Sequence, residues 1–389
     1  MQRFRRVCYH PAMLPELRPV WADTPAAVRR AASACAAAGR FALDTEADSL
    51  HSYFHKVCLI QVSAANQHTV IDPLPLLASD LDPLWRVVAN PAVTVVMHGA
   101  DYDVRILDRD YGACIGRLED TQIMAQLLGE ERTGLAFLLE REFGIELDKR
   151  HQRADWGARP LAPELVAYAA ADTAFLLELA DRLRERLEAL GRWSWALEEC
   201  ARLTTVRHED AAPDPLAFER VKGARALRGR ARDRFHELYC WRDEEARRLD
   251  LPPFKVLGNR PMLELAASPP VGPAELARIP GLGPRFARRW GAEVSRRLEH
   301  PRGAPQRQRG EHVSPPSAAE RRRLQRLVEV RDEIAARLGL QGGLVCPRAM
   351  LQAIAAAPGA GAALDAAGLS GWRRELLGSS FEAALSEAI

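Results

Sequence analysis

The stretch Phe41–Glu46, which reads Phe-Ala-Leu-Asp-Thr-Glu, constrains the fold of this chain more than any other. It begins with apolar residues and ends with two acids one residue apart. In a β-strand the side chains alternate between two faces, so Asp44 and Glu46 are expected on the same face. Two carboxylates at one point repel each other unless a cation, a shared proton or water relieves the repulsion. The pattern therefore predicts either a metal-binding strand end or a solvated acidic turn.

The composition is that of a globular protein with reduced cysteines. At 389 residues, with 47% hydrophobic and 27% charged residues, the chain has room for two or three domains. No apolar run reaches membrane-spanning length, and the N-terminus lacks the apolar core of a secretion signal. The seven cysteines are widely spaced and form no C-x-x-C pair, which argues against a disulfide framework or a zinc site. We therefore expect a cytoplasmic protein that contacts no membrane.

Strand and helix patterns alternate over the first two hundred residues. Apolar and β-branched runs predict strands at 18–21, 41–46, 57–62, 69–72, 93–97 and 117–121. Helices are predicted between them, the first ending near Ala38 and the second at 80–88. The polar turn Ala65-Asn-Gln predicts that strands two to four form an antiparallel meander.

Two acids in the next helical segments have different explanations. Asp103 lies with Ile106 and Leu107 on one side of a helix that follows His98-Gly-Ala, so an acid lies beside an apolar stripe. Asp120 or Thr121 is expected to cap the next helix, and such a capping role is a sufficient explanation for Asp120. Asp101 is excluded from the predicted site because residues two positions apart on a helix face different directions.

The helix predicted to begin near Pro163 carries an aspartate inside its apolar stripe. The stripe repeats at intervals of three and four residues and consists of Leu165, Ala169, Asp172, Leu176, Leu179 and Leu183. A lone buried carboxylate is costly, so Asp172 is expected to pair with an arginine or to bind a metal. Tyr168 lies one turn earlier and is either an ordinary core tyrosine or part of the same patch.

Together these motifs resemble the DEDD family of 3′–5′ exonucleases, in the tyrosine-containing subgroup that includes ribonuclease D. The resemblance covers roughly Arg18 to Gly191. Cys58-Leu-Ile-Gln, Asp120-Thr and the Arg153-Ala-Asp-Trp that precedes Arg159-Pro-Leu are also similar to that subgroup. The residue after the glutamate departs from the pattern, since many relatives carry an aromatic residue where this chain has Ala47. Tyr53 and Phe54 are the two alternative sources of base stacking.

The resemblance implies a ribonuclease H-like α/β domain with a mixed sheet flanked by helices. It further implies that Asp44, Glu46, Asp103 and Asp172 hold two divalent cations, Mg²⁺ or Mn²⁺, about 4 Å apart. Tyr168 would orient the attacking water. The implied reaction releases 5′-mononucleotides from the free 3′ end of RNA, with tRNA precursors as the substrate and no obligate protein partner.

The rest of the chain predicts a duplicated helical module. A polar linker is predicted at 198–215, followed by helices at 225–249, 261–267, 273–278 and 285–298 and by a flexible connector at 301–317. Trp241-Arg-Asp-Glu-Glu is echoed by Val330-Arg-Asp-Glu-Ile at a spacing of 89 residues, which indicates domain duplication. We therefore predict an exonuclease domain at 1–200 and two small all-α domains at 215–299 and 318–389.

These modules resemble the HRDC domain, a small helical module. The resemblance rests on Leu238–Pro253 and Pro280–Trp290, and is weaker in the second copy, whose interior is rich in alanine and glycine. It implies nucleic-acid binding, with Arg285, Arg288 and Arg289 as candidate phosphate contacts. The alternative is a solvated charged helix face without a specific partner.

Two other functions fit the same motifs. A proofreading or repair exonuclease acting on DNA would use the same metals, and no motif here identifies a reader of the 2′-hydroxyl. A non-catalytic RNA-binding scaffold would use only the helical modules. The complete set of acids argues against the scaffold, because a chain without catalysis has no reason to keep a carboxylate in an apolar stripe.

Overall fold

The computed structural model describes residues 17–147, 149–210, 212–306, 316–357 and 360–387. These residues form two compact units. The first contains the described residues of 1–46, 57–208 and 314–389, and the second those of 47–56 and 209–313. Within these ranges no helix combines the length and the apolar character needed to cross a membrane.

A six-stranded mixed sheet forms the centre of the first unit. Its strands are β1 (Val20–Ala22), β2 (Arg40–Ala47), β3 (Val57–Ala64), β4 (Gln67–Ile71), β5 (Thr94–Met97) and β6 (Leu118–Asp120). They are arranged in the order β1-β4-β3-β2-β5-β6. β1 and β4, β2 and β5, and β5 and β6 are parallel pairs, whereas β3 and β4 are antiparallel. The mixed sheet is confirmed, as is the antiparallel pairing of the third and fourth strands.

Helices flank this sheet. Those of residues 17–208 are α1 (Pro25–Ala38), α2 (Asp82–Val88), α3 (Asp101–Tyr111), α4 (Thr121–Leu127), α5 (Leu135–Phe143), α6 (Pro163–Ala174), α7 (Leu176–Ala189) and α8 (Trp193–Thr204). Helix α6 contacts β3 and β4, α7 contacts β5, and α8 contacts β6. Asp120 caps α4, as predicted, by accepting hydrogen bonds from the backbone N–H groups of Gln122 and Ile123.

Two predictions about this region are wrong. The single long helix expected from Pro163 to Leu183 is divided at Phe175, whose backbone (φ −114°, ψ 2°) is not helical. The apolar stripe continues across the break, which is why its spacing did not reveal it. The linker predicted to start at Glu198 begins later, because α8 continues to Thr204 and buries Cys200.

The α-helices of the second unit lie in its described residues after position 208. It contains α9 (Gly229–Leu249), α10 (Pro253–Val256), α11 (Asn259–Ala267), α12 (Pro273–Leu276) and α13 (Gly283–Glu299). Its core is built around Phe235, Trp241 and Phe286, with Trp290 packed against them. Four of these helices match the predicted positions within a few residues, and α10 was not predicted.

Residues 47–56, which start at the last residue of β2, pack with the second unit. The Tyr53 hydroxyl hydrogen-bonds the Asp243 carboxylate at 3.0 Å. The N–H groups of Tyr53 and Phe54 donate to Oδ1 of Asp250 at 3.0 and 2.9 Å. The Tyr53 ring also lies against the Arg247 guanidinium, whereas Phe54 is 59% exposed. Tyr53 is therefore held by the helical unit, and Phe54 is the more accessible of the two aromatic residues.

The C-terminal helices belong to the first unit. They are α14 (Ala318–Leu338), α15 (Gly342–Val345), α16 (Arg348–Ala356), α17 (Ala360–Ala366) and α18 (Gly371–Glu387), and we call them the C-terminal module. They share a core that includes Leu327, Leu351, Leu377 and Phe381. Part of the predicted connector, residues 307–315, lies outside the described residues.

Candidate active site

The carboxyl end of β2 is positioned by its parallel neighbour. Ala42 pairs with Val96, so Asp44 and Glu46 extend past Met97, the last residue of β5. Three consecutive buried residues, Phe41, Ala42 and Leu43, anchor the strand before its acids. Ligands of α/β folds bind outside the carboxyl ends of parallel strands, and the two acids lie at such an end.

Helix α3 starts from a turn that Asp120 holds. The turn contains Gly99 with φ +69°, a conformation that favours glycine. The Asp120 carboxylate accepts hydrogen bonds from the N–H groups of Gly99 and Ala100 at 3.0 and 2.8 Å. Asp103 lies in the first turn of the helix and is 7% exposed, beside the buried Ile106 and Leu107. The N-cap of α4 thus also fixes the start of α3.

Helix α6 is seated closely on the sheet. Small residues, Ala169 and Ala170, face β3 and β4 and allow the helix backbone to approach them. The Thr173 hydroxyl shares a 2.7 Å hydrogen bond with the buried Ser63 hydroxyl of β3. Asp172 adjoins this contact. The anchoring of α6 therefore fixes the position of Asp172.

The structure brings three of the predicted metal ligands together. One carboxylate oxygen from each of Asp44, Glu46 and Asp172 lies within 4.8 Å of the other two. Asp103 is outside this group, although its charge acts on Asp44 and Glu46. Its Oδ1 accepts a hydrogen bond from the hydroxyl of Thr45, the residue between the two acids of β2. We find no other such acidic group among the residues that the structure describes.

The acids of the cluster repel one another inside the protein. Burial, followed by the charges of Asp172 and Asp103, raises the pKa of Glu46 to about 9. Burial and the charges of Asp103, Asp172 and Glu46 raise the pKa of Asp44 as well. Burial raises the pKa of Asp172 to about 7 and that of Asp103 to about 6, the latter opposed by the Thr45 hydroxyl. Without a cation the site therefore keeps protons at neutral pH.

Tyr168 lies beside the same cluster. Its ring stacks on the buried Trp156 with centroids 6.1 Å apart, and its hydroxyl is hydrogen-bonded to Gln152. Burial and then the Asp172 charge raise its pKa, so the phenol is protonated at neutral pH.

The segment that leads into α6 is fixed by a bidentate ion pair. The Arg159 guanidinium contacts both carboxylate oxygens of Asp72, at 2.6 and 2.7 Å.

An open cavity of about 490 Å³ shares Tyr168 and Asp172 with the cluster. Its wall combines apolar and polar side chains, among them Gln122, Arg132, Leu135, Phe137, Leu147 and Gln152. The Arg132 guanidinium lies 4.1 Å from the centre of the Phe137 ring. Such a mixture of one cation, apolar faces and amides suits a nucleotide.

The remaining predicted residues lie elsewhere. Arg285, Arg288 and Arg289 are exposed on α13 of the second unit, and Arg289 also stacks on the Trp290 ring at 4.6 Å. Asp101 is exposed and paired with Arg105, as expected of a residue outside the site. Thr45 and Gln152 contact predicted site residues but were not predicted. A hydroxyl between two acids was the available signal for Thr45, and Gln152 carried none.

Two regions of the chain match known families. Residues 19–188 match a 3′-5′ exonuclease family and residues 231–297 match the HRDC domain. A ribonuclease D from Acidiphilium cryptum is 34% identical over 273 residues, which cover 69% of this chain and 68% of that protein. The exosome complex exonuclease RRP6 of Saccharomyces cerevisiae is 33% identical over 266 residues, which cover 65% of this chain but only 36% of the yeast protein.

Solved structures support the same fold. The crystal structure of Escherichia coli RNase D, an exoribonuclease involved in structured RNA processing, is similar with a TM-score of 0.65 at 26% identity. The similarity covers 95% of this chain and 99% of that one. The catalytic core of RRP6 from Trypanosoma brucei is similar with a TM-score of 0.67 at 28% identity, covering 74% and 80% of the two chains. The predicted ribonuclease H-like exonuclease fold is confirmed.

Proposed function

Because this chain belongs to the ribonuclease D family and is a 3′–5′ exoribonuclease, we propose that it trims structured RNAs, chiefly tRNA precursors. The observation that carries the proposal is the convergence of Asp44, Glu46 and Asp172 from a strand and a distant helix. Acids of such separate origin meet inside a protein at a cost, which a catalytic use of the cluster explains. RNA substrates and reduced thiols are both typical of the cytoplasm, which we propose as its location.

The donor set fits divalent cations. Carboxylate oxygens are the ligands that Mg²⁺ and Mn²⁺ prefer, and the mutual repulsion of these acids is what a cation relieves. We propose that Asp44, Glu46 and Asp172, together with Asp103, hold two such ions. When bound, ions of this kind stabilise charge on a phosphate and lower the pKa of a water molecule.

Tyr168 would position the attacking water. Its raised pKa keeps the hydroxyl protonated at neutral pH, so it acts by hydrogen bonding and not as a general base. Gln152 hydrogen-bonds the phenol and Trp156 stacks on its ring, which together limit its movement. A fixed hydroxyl beside Asp172 is suited to orienting a water toward a phosphate.

The RNA would enter through the cavity next to these residues. Phe137 and Leu147 offer apolar faces to a base, and Arg132 offers a cation to a backbone phosphate. The folded body of the substrate would contact the exposed Arg285, Arg288 and Arg289 of the HRDC domain. Both contacts read the backbone and the base faces, so trimming would depend little on sequence.

The test is release of 5′-mononucleotides from an RNA with a 3′ overhang in the presence of Mg²⁺ or Mn²⁺. Loss of an outer-shell partner of a metal site lowers activity by up to about 100-fold. Asp44→Asn and Asp172→Asn alter proposed metal ligands themselves, so they are expected to lower turnover by more than that. Asp101→Asn, which changes an exposed acid two positions from Asp103, should keep wild-type turnover. Unchanged turnover in Asp44→Asn or Asp172→Asn would overturn the assignment.

Two further comparisons define the substrate. A DNA oligomer of the same sequence should be cleaved more slowly than the RNA. Sequencing the 3′ ends of total cellular RNA before and after digestion should show shortened tRNA precursors. Shortening of other RNAs without change in tRNA precursors would contradict the tRNA proposal alone.

A further inference from the structure

The C-terminal module packs against the nuclease through two tryptophans. Trp372 of α18 stacks on Trp195 of α8 with ring centroids 4.6 Å apart and planes 14° apart. Trp372 is 3% exposed and belongs to the nuclease core, together with Leu183, Leu187 and Ala196. This stacked pair therefore connects the two cores directly.

Charged groups reinforce the same contact. The Arg373 guanidinium binds both carboxylate oxygens of Glu199 on α8, and the Arg373 side chain is 8% exposed. The indole N–H of Trp372 donates to Glu199 at 2.7 Å, and its backbone N–H donates to Glu198 at 2.9 Å. A largely buried bidentate pair with these extra donors is costly to separate, because each partner would be left unpaired.

A second buried arginine joins the module to the nuclease. Arg192, at the start of α8, donates to the carbonyl of Leu127 at 2.8 Å and to that of Leu338 at 2.7 Å. These carbonyls end α4 and α14, so one guanidinium satisfies the ends of two helices. Nearby, a Cβ on Gly129 would clash with the carbonyl oxygen of Gly339, so the close approach of the two backbones requires a glycine there.

Helix α8 also contacts the elements that carry the site. Helix α8 contacts β6, α4 and α3. The Sγ atom of Cys200 accepts a hydrogen bond from the backbone N–H of Asp120 at 3.2 Å. Asp120 in turn holds the turn from which α3 and Asp103 start. One helix thus contacts both the C-terminal module and the residue that fixes the start of α3.

We propose that the C-terminal module is a fixed part of the catalytic body, which positions α3 and its Asp103 through α8 and Asp120. An RNA-binding domain that moves independently of the nuclease would contact it through a small, polar and hydrated interface. Stacked tryptophans and buried arginines are instead typical of permanent contacts. Trp372, Arg373 and Glu199 are thus positioning residues. The inference rests on the proposed metal-binding role of Asp103.

The test compares two truncations in the same module. Trp372→Ala removes the contact with α8, and Leu351→Ala removes a smaller apolar side chain from the core of the module itself. The measurements are Mn²⁺ binding by calorimetry, and kcat and KM on a single-stranded RNA of five nucleotides. Trp372→Ala should weaken Mn²⁺ binding about 10-fold or more and lower kcat, with KM little changed. Leu351→Ala should keep wild-type Mn²⁺ binding.

Other outcomes separate this inference from the proposed function. Unchanged Mn²⁺ binding and kcat in Trp372→Ala, with weaker binding of long RNA, would overturn the inference and make the module an RNA-binding domain. If Trp372→Ala does not fold, Arg373→Lys keeps the charge but loses the bidentate pair, and the same shift in Mn²⁺ binding is expected. A wild-type protein that binds Mn²⁺ but cleaves no RNA would contradict the proposed function, while the Mn²⁺ comparison would still decide the inference.

Discussion

The hydroxyl of Thr45 donates a hydrogen bond to Oδ1 of Asp103, so the residue between the two acids of β2 holds the acid of α3. The bond joins the central strand to the helix that follows β5. It also opposes the effect of burial on Asp103, whose pKa rises only to about 6 while that of Glu46 rises to about 9. Thr45 therefore keeps Asp103 ionised and oriented beside a cluster that otherwise retains protons.

Removing this hydroxyl should weaken metal binding without changing the fold. Thr45→Val keeps the β-branched shape that suits a strand but cannot donate a hydrogen bond. We expect the Mn²⁺ concentration for half-maximal cleavage to rise about 10- to 100-fold, as is usual when an outer-shell partner is lost. Thr45→Ser, which retains the hydroxyl, is the matched control. Equal metal dependence in Thr45→Val and wild type would mean that the bond does not orient Asp103.

The metal-free protein should lose stability as the pH rises. Glu46 has a pKa of about 9 against an ordinary value of 4.5, and Asp172 one of about 7 against 3.8. Between those limits the folded state binds more protons than the unfolded state, so the free energy of unfolding falls with increasing pH. The stabilisation is complete below the ordinary pKa values and is lost as the pH approaches about 9.

Thermal unfolding in a chelating buffer from pH 5 to pH 9 measures this effect, and Tm should fall across the range. Added Mg²⁺ or Mn²⁺ binds the deprotonated acids and should raise Tm most at the alkaline end. Glu46→Gln removes one titrating group and should flatten the profile. If the Tm of the metal-free protein instead rises toward pH 9, the pKa values of Glu46 and Asp172 are not raised in the folded state.

Neutralising one acid should stabilise the metal-free protein and abolish its activity. Asp44 is buried and repelled by Asp103, Asp172 and Glu46, and asparagine has nearly its volume without its charge. At pH 8, without metal, we expect Asp44→Asn to raise Tm by about 2–4 °C, equivalent to roughly 1 kcal/mol. Differential scanning calorimetry would measure it, with the exposed Asp101→Asn as the control. A lower Tm in Asp44→Asn would imply that the charge is stabilised by a partner other than a cation.

The sequence predicted which residues form the site better than it predicted where helices end and which side chains contact each other. The alternation of a strand placed Asp44 and Glu46 on one face, and the apolar stripe identified Asp172, because both patterns are local. The break at Phe175 was not predicted because the apolar stripe continues from α6 into α7. The true end of α8 was missed since its polar residues resembled a linker, although Ala196 and Cys200 bury one face.

Long-range contacts were beyond local patterns. Thr45 hydrogen-bonds Asp103, which is 58 positions away in the sequence. No local pattern around either residue predicts this contact. Tyr53 reaches Asp243 across 190 positions, which places residues 47–56 with the helical unit and not with the sheet. The complete family pattern supplied what periodicity could not, namely that the separate acids form one set.

Substituting the exposed arginines of α13 should weaken RNA binding and leave chemistry unchanged. The triple variant Arg285→Ala, Arg288→Ala and Arg289→Ala removes three cations that the structure leaves exposed on one helix. If each neutralises a phosphate, the slope of log K against log salt should fall by about 2–3, with a weaker affinity for a tRNA precursor at low salt. The control is Arg296→Ala on the same helix, because the Arg296 guanidinium is paired with Glu293 at 2.6 Å. This variant should bind RNA as the wild type does.

Fluorescence anisotropy without metal measures the binding, and kcat on a five-nucleotide RNA should not change. An unaltered salt slope in the triple variant would assign these arginines to a solvated face, and the RNA-binding surface of the HRDC domain would have to lie elsewhere.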